Sequence, residues 1–328
     1  MFAAFFALAG CTRVYVRQIE SANPPVGEFA DVNGTRMHYV FSPGGADADL
    51  PPLVFIHGAS GNLKDPMVPF LPALKGRADL LFLDRPGHGW SALGPDAGDS
   101  IDRQSDTIAA LMDRLGIGSA VIVGHSFGGS VTASLAVHHP DKIKGLVFLS
   151  PATHPWPGCG VAAYYDLTNT PVAGAVFSET IALPAGKLRL KPGSRGVFEP
   201  NTMPESYADD ASISLVLRPK SFRANARQVG QLCAHNARLQ PRYREISAPT
   251  VIITGNTDSV VAEEIHSKGL AHDIEGSELV WVDGLGHKPD YVATDLAIAA
   301  IEVVSGKQRD LQALARKVEA RLKGGLAK

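Results

Sequence analysis

Cysteine is scarce, with three in 328 residues, too few for the disulfide framework that staples small secreted domains. Charge of one sign is missing too. Thirty-one Lys and Arg stand against thirty-three Asp and Glu, a formal net charge of −2, which implies neither a basic face for nucleic acid nor an acidic face for cations. No apolar run reaches the ~20 residues that a membrane-spanning helix needs. The chain has no HExxH, no CxxC and no Gly-Lys-Ser/Thr phosphate loop, so we expect no metal and no nucleotide cofactor. What is present is apolar side chain, 45% of residues, together with 33 Gly and 23 Pro. That suits a sizeable core crossed by many short turns rather than a helical bundle. Single cores stop growing at roughly 250–300 residues, so one large domain with an inserted lobe fits the length.

Residues 2–9 are wholly apolar and end in Leu8-Ala9-Gly10-Cys11, which resembles the bacterial lipoprotein processing box, where small residues precede a lipidated Cys. No Lys or Arg precedes the run, as a signal peptide requires. Two readings stay open. Either Cys11 carries a lipid and the protein is membrane-anchored or periplasmic, or the terminus frays and the protein is cytoplasmic.

After Pro24-Pro25, the segments Glu28–Val32 and Thr35–Phe41 flank Asn33-Gly34, which predicts an antiparallel hairpin at a sheet edge. Leu53–Ile56 is a short unbroken apolar run, as expected of a strand covered on both faces. Strands at Asp79–Leu83, Ala120–Val123 and Ile143–Leu149 then alternate with helices at Met67–Lys75, Asp102–Leu115 and Phe127–His138, a rhythm that implies parallel crossovers. It breaks at Pro151 and resumes with strand Thr250–Thr254, helix Ala262–Leu270, strand Glu278–Val282 and helix Tyr291–Val304. The intervening stretch, with helical Pro204–Leu217 and Ser221–Leu239, reads as a lid. Cys159 and Cys233 both fall in it and are expected as buried free thiols, pairing only if the protein is exported. Over about 307–323, Leu311, Leu314, Val318 and Leu322 form one helical stripe that predicts a helix docked on the body. The expected organisation is therefore an apolar segment and linker (1–27), a core (28–151 and 248–305), the insertion (152–247) and a terminal amphipathic helix (306–328).

Gly124-His125-Ser126-Phe127-Gly128-Gly129 lies between a predicted strand and helix, the context of a nucleophile elbow. The glycines remove side chains where strand and helix approach closely, leaving Ser126 exposed at the helix N-terminus. A serine hydroxyl needs a base, which in this order of elements follows the last strand, where His287 stands in Gly284-Leu285-Gly286-His287-Lys288-Pro289. A carboxylate must hold the imidazole. Asp258, directly after strand Thr250–Thr254, fits best, with Asp283 ending its own strand and Asp290 read as a helix cap. For the oxyanion, the amide of Phe127 and one from His57-Gly58-Ala59-Ser60-Gly61 are the candidates, Ala59 first and Ser60 as fallback.

These residues, with Asp84-Arg85-Pro86-Gly87-His88-Gly89-Trp90-Ser91, resemble the α/β-hydrolase superfamily over about residues 28–305, in its epoxide-hydrolase, haloperoxidase and meta-cleavage-hydrolase branch. The resemblance implies an α/β fold with an eight-stranded, mostly parallel sheet, a helical cap after the sixth strand, and metal-free, cofactor-free hydrolysis of a small-molecule substrate. Epoxide hydrolases and haloalkane dehalogenases carry Asp where this chain has Ser126, which argues against both reactions although Tyr164, Tyr165 and Tyr207 stand in the lid. A carboxylic ester is the default substrate. Carbon–carbon bond hydrolysis, cofactor-free haloperoxidation or perhydrolysis, and a ligand receptor on the same fold are the alternatives.

Overall fold

The computed structural model describes residues 2–95 and 100–325; residues 326–328 of the expected terminal segment lie outside the described residues. The chain opens with a helix, α1 (Phe2–Ala22), and then the hairpin β1 (Glu28–Val32) and β2 (Thr35–Ser42). Strand β3 (Leu53–Ile56), helix α2 (Lys64–Leu74), β4 (Leu80–Leu83), α3 (Ile101–Arg114), β5 (Ala120–His125), α4 (Phe127–His138) and β6 (Ile143–Leu149) follow in alternation. Between β6 and β7 the chain is helical: α5 (Ala163–Asn169), α6 (Ala173–Thr180), α7 (Ala182–Phe198), α8 (Tyr207–Asp210) and α9 (Pro219–Leu239). Strand β7 (Thr250–Gly255), α10 (Glu263–Asp273), β8 (Glu278–Val282), α11 (Pro289–Val292), α12 (Thr294–Val304) and α13 (Leu311–Gly325) complete it.

All eight strands form one sheet in the order β1-β2-β4-β3-β5-β6-β7-β8, antiparallel at β1–β2–β4 and parallel from there on. The central strands are apolar on both faces because both faces are covered. The period of two sorts them: Val54, Ile56, Leu81 and Ile122 enter one core with α3 and α4, while Leu53, Phe55, Phe82 and Val121 enter the other with α2, α12 and α13. Leu311 and Val318 are buried there, so the terminal stripe does dock on the body.

Several sequence expectations need correction. Pro204–Leu217 is not one helix but α8 followed by a 3-10 turn at Ile213–Leu217. Tyr291–Val304 is split into α11 and α12. Cys159 and Cys233 are not buried free thiols: they form a disulfide, with Cys159 exposed, joining the start of the insertion to α9 across a sequence separation of 74. The N-terminal segment is helical: α1 runs on past Cys11 to Ala22, and Ile19 packs against Leu183, Leu215 and Leu217. Cys11 is free and exposed. Among the described residues no helix is long and apolar enough to cross a membrane.

Candidate active site

Strand β5 delivers Ser126 to the carboxyl edge of the sheet, where α4 begins one residue later. Its backbone sits at φ 53° and ψ −121°, a strained conformation held by its surroundings. The amide of Ser126 donates to Leu149 O at 3.0 Å, and its carbonyl accepts from Gly129 and Ala152. A Cβ on Gly128 would overlap the carbonyl oxygen of Ile56, so only glycine allows α4 to press against β3 there.

His287 and Asp258 come from the loops after β8 and β7, and the structure brings both to Ser126. Ser126 Oγ lies 2.9 Å from His287 Nε2, and His287 Nδ1 lies 2.7 Å from Asp258 Oδ2. In the matching tautomer Nδ1–H donates to the carboxylate and Nε2 accepts the serine proton. Asp258 Oδ1 accepts the amides of Val260 and Val261 at 2.8 and 2.9 Å. Burial works to raise the Asp258 pKa, but His287 and these amides outweigh it and hold the carboxyl below its ordinary 3.8. Asp283 instead accepts from Asn256 on the surface. Asp290 is not a helix cap: its side chain is buried and pairs with Lys288 at 2.9 Å.

The His57–Gly61 loop lies against the serine, since a Cβ on Gly58 would stand 3.1 Å from Ser126 Cβ. Phe127 is the first residue of α4, and its N–H has no carbonyl partner within that helix. Ala59 and Phe127 both line the cavity around Ser126. The fallback, Ser60, is committed elsewhere: its amide donates to Asn225 Oδ1 at 2.8 Å.

Three further groups escaped the sequence reading. Arg85, wholly buried, clamps the loop from behind, with Nε donating to His57 O and a terminal nitrogen to Gly58 O, both at 3.0 Å. Its other terminal nitrogen meets Gln104 and Gln228 at 2.7 Å each. Burial lowers its pKa to about 9. Burial first, and Arg85 second, hold His57 well below the usual imidazole range, so its Nε2 accepts the Arg85 amide at 3.0 Å. Asn225 ties α9 to the same loop through Ser60 and to the loop after β4 through His88. Beside His287, Lys288 Nζ reaches Asp65 at 3.0 and 3.1 Å as well as Asp290, and Tyr207 donates to Asp65 at 3.0 Å. Asp65, His125 and Asp290 converge closely enough to ligate an ion, but the Lys288 ammonium already compensates both carboxylates. His125 is held far below its usual pKa by burial first and by Lys288 second, and its Nε2 donates to His287 O at 2.8 Å.

Above these groups is a cavity of about 1390 Å³ whose walls are mostly apolar, Trp156, Phe177, Phe222, Leu232 and Val261 among them. It exceeds the ~300–1,000 Å³ of ordinary small-molecule sites. Tyr164, Tyr165 and Tyr207 all line it, the last already engaged with Asp65.

Known proteins share this arrangement of elements. Over 253 residues the chain is 35% identical to the dihydrolipoyllysine-residue acetyltransferase component of the acetoin cleaving system of Pseudomonas putida, covering 76% of this chain and 62% of that one. It thus spans less than two thirds of the acetyltransferase components that it matches. Over 271 residues it is 26% identical to 2-(acetamidomethylene)succinate hydrolase of Mesorhizobium japonicum, covering 76% and 86% of the two chains. The enol-lactonase of Burkholderia xenovorans LB400 superposes with a TM-score of 0.67 at 24% identity, over 84% of this chain and 98% of the other, a likeness of fold. Residues 51–289 match the family profile of the alpha/beta hydrolase fold, and the chain belongs to the alpha/beta hydrolase family.

Proposed function

We propose that this protein is a serine hydrolase of carboxylic esters with a lipophilic acyl or alcohol group, acting through Ser126, His287 and Asp258. The observation that carries this reading is the hydrogen-bonded chain Ser126–His287–Asp258 at the floor of a large apolar cavity. Ser126 Oγ attacks the ester carbonyl while His287 Nε2 takes its proton, and Asp258 stabilises the resulting imidazolium. The oxyanion receives the amides of Ala59 and Phe127, a contribution of about 2.7–4 kcal/mol per donor where such donors have been removed. The proton on Nε2 then passes to the departing alkoxide. Water, deprotonated by the same nitrogen, attacks the acyl-enzyme and returns Ser126 to its hydroxyl. The helices between β6 and β7 serve as the cap that shapes the substrate space.

The cavity lining favours neutral substrates. Of its two cations, Lys288 is already paired with Asp65 and Asp290, and Arg189 is exposed on α7. Carbon–carbon hydrolysis of an anionic dienoate, cofactor-free haloperoxidation and a receptor role are therefore secondary readings.

Turnover of p-nitrophenyl esters of graded chain length, beside a meta-cleavage dienoate and a peroxide/halide assay, tests the choice. Rates should rise with acyl length. Ser126→Ala should lower kcat/KM by at least ~10³-fold and Asp258→Asn by ~10³–10⁴-fold. Ser126-independent labelling by a fluorophosphonate, or none at all, would sink the assignment, and a faster dienoate would transfer it to carbon–carbon hydrolysis.

A further inference from the structure

Most large apolar side chains exposed on the described residues gather in one region. Of eleven, Tyr164, Leu167, Val172, Val176, Ile181 and Leu188 lie on or between α5, α6 and α7, and Leu8 and Val14 lie on α1. Val172 is 76% and Leu188 81% exposed. These helices are neighbours. α1 packs against α6 and α7, and Lys187 Nζ sits 4.2 Å over the Tyr15 ring. Clustered apolar exposure of this kind marks a partner or membrane surface.

The same helices concentrate positive charge in a chain whose net charge is −2. Arg13 and Arg17 on α1, and Lys187, Arg189, Lys191 and Arg195 on α7, are all exposed, and α7 contains no acid. On α1, α5, α6 and α7 together, three acids oppose these six cations: Glu20, Asp166 and Glu179. Glu20 is already bonded to Arg218. Leu188 stands between Lys187 and Arg189, the interleaving of apolar and basic groups found on helices that lie in a lipid interface. A second copy of this chain would set like charges against each other across a two-fold contact. An anionic bilayer neutralises them and receives the apolar side chains. The same helices also line the Ser126 cavity, through Tyr165, Phe177, Ala185 and Leu190 and, at its edge with this face, through Tyr164 and Arg189.

We propose that α1 and α5–α7 form a docking face for an anionic lipid bilayer, from which the cavity takes a membrane-dissolved ester. The delivery step rests on the ester-hydrolase reading above; the docking does not.

The test is flotation of the full chain, carrying Cys11→Ser so that no lipid on that residue contributes. Vesicles of phosphatidylcholine with phosphatidylglycerol are compared with phosphatidylcholine alone. The protein should bind the anionic vesicles, less so at high salt. Val172→Asp with Leu188→Asp should weaken binding by at least ~10-fold, as should Lys187→Glu with Lys191→Glu. The Val172→Asp/Leu188→Asp variant should keep its rate on a short water-soluble ester and lose rate on a long-chain ester held in anionic vesicles. Absence of binding, equal binding to both vesicles, or binding that both variants leave unchanged overturns the docking. So does a concentration-dependent dimer that Leu188→Asp abolishes, which assigns the face to a second copy. Vesicle binding without any Ser126-dependent hydrolysis leaves the docking standing and removes the ester-hydrolase reading instead.

Discussion

Arg85 meets four neutral acceptors inside the protein, the carbonyls of His57 and Gly58 and the amides of Gln104 and Gln228. No shorter side chain spans them, and a lost guanidinium leaves several buried acceptors unpaired, each at a cost of about 1–3 kcal/mol. Arg85→Met should therefore lower unfolding free energy by ~3 kcal/mol or more, read from urea midpoints at unchanged m-value; a change under ~0.5 kcal/mol would mean that the loop holds itself. Ser126, Asp258 and His287 were legible in the sequence because each sits at the end of a recognisable apolar strand, and their meeting follows from strand order. Arg85, Asn225 and Lys288 were not, because their meaning lies in partners 143, 165 and 223 residues away. Gly89 belongs with them. It has positive φ, and a Cβ there would overlap the Asp84 carboxylate, which accepts the Trp90 amide at 2.7 Å and His38 Nδ1 at 2.6 Å.

At the level of elements, helix α9 is the strut between the insertion and the catalytic edge. Asn225 on it holds the Ser60 amide and so fixes the turn that aims Ala59 at the cavity. Asn225→Ala should lower kcat/KM about 10–100-fold, since small misplacements at an oxyanion site are costly. KM should change little, and Ser126 should still react with a fluorophosphonate. An unaltered kcat would show that Ala59 is held without α9. Helices α9 and α4 are legible in the sequence because their ends carry clear signals. Helices α5–α7, and α8 with its following turn, are not, because Pro171, Pro184, Pro192, Gly186 and Gly193 dilute helical periodicity. There Leu183, Leu215 and Leu217 pack with Ile19 of α1, so tertiary contact overrides local preference.

Across the whole molecule, six histidines are held neutral by the fold: His57, His88, His125, His154, His235 and His266 all titrate below the ordinary 6.5, burial being the leading cause in each. His88 falls to about 3, His235 and His266 to about 4. Unfolded, these groups bind protons near pH 6.5; folded, they do not, so unfolding takes up protons and stability rises with pH. The stabilisation is present above pH 6.5 and drains away below it, at ~1.4 kcal/mol per pH unit for each proton. Near pH 5, the pH dependence of unfolding free energy should report an uptake of roughly four or more protons; fewer than one would mean that these imidazoles are charged in the native state. The parallel crossovers and the burial of Leu53–Ile56 on both faces were readable from the alternation of strands and helices and from the unbroken apolar run; the order of strands in the sheet was not. Nor was the burial of so many imidazoles, because it depends on how the layers close.

The bridge between Cys159 and Cys233 turns the chain between them into a covalent ring standing on the sheet. A protease that severs one exposed peptide inside that ring, beside Arg195 for instance, produces two fragments that still travel together until a thiol reductant parts them. Intactness on a non-reducing gel is therefore no measure of whether this ring is whole.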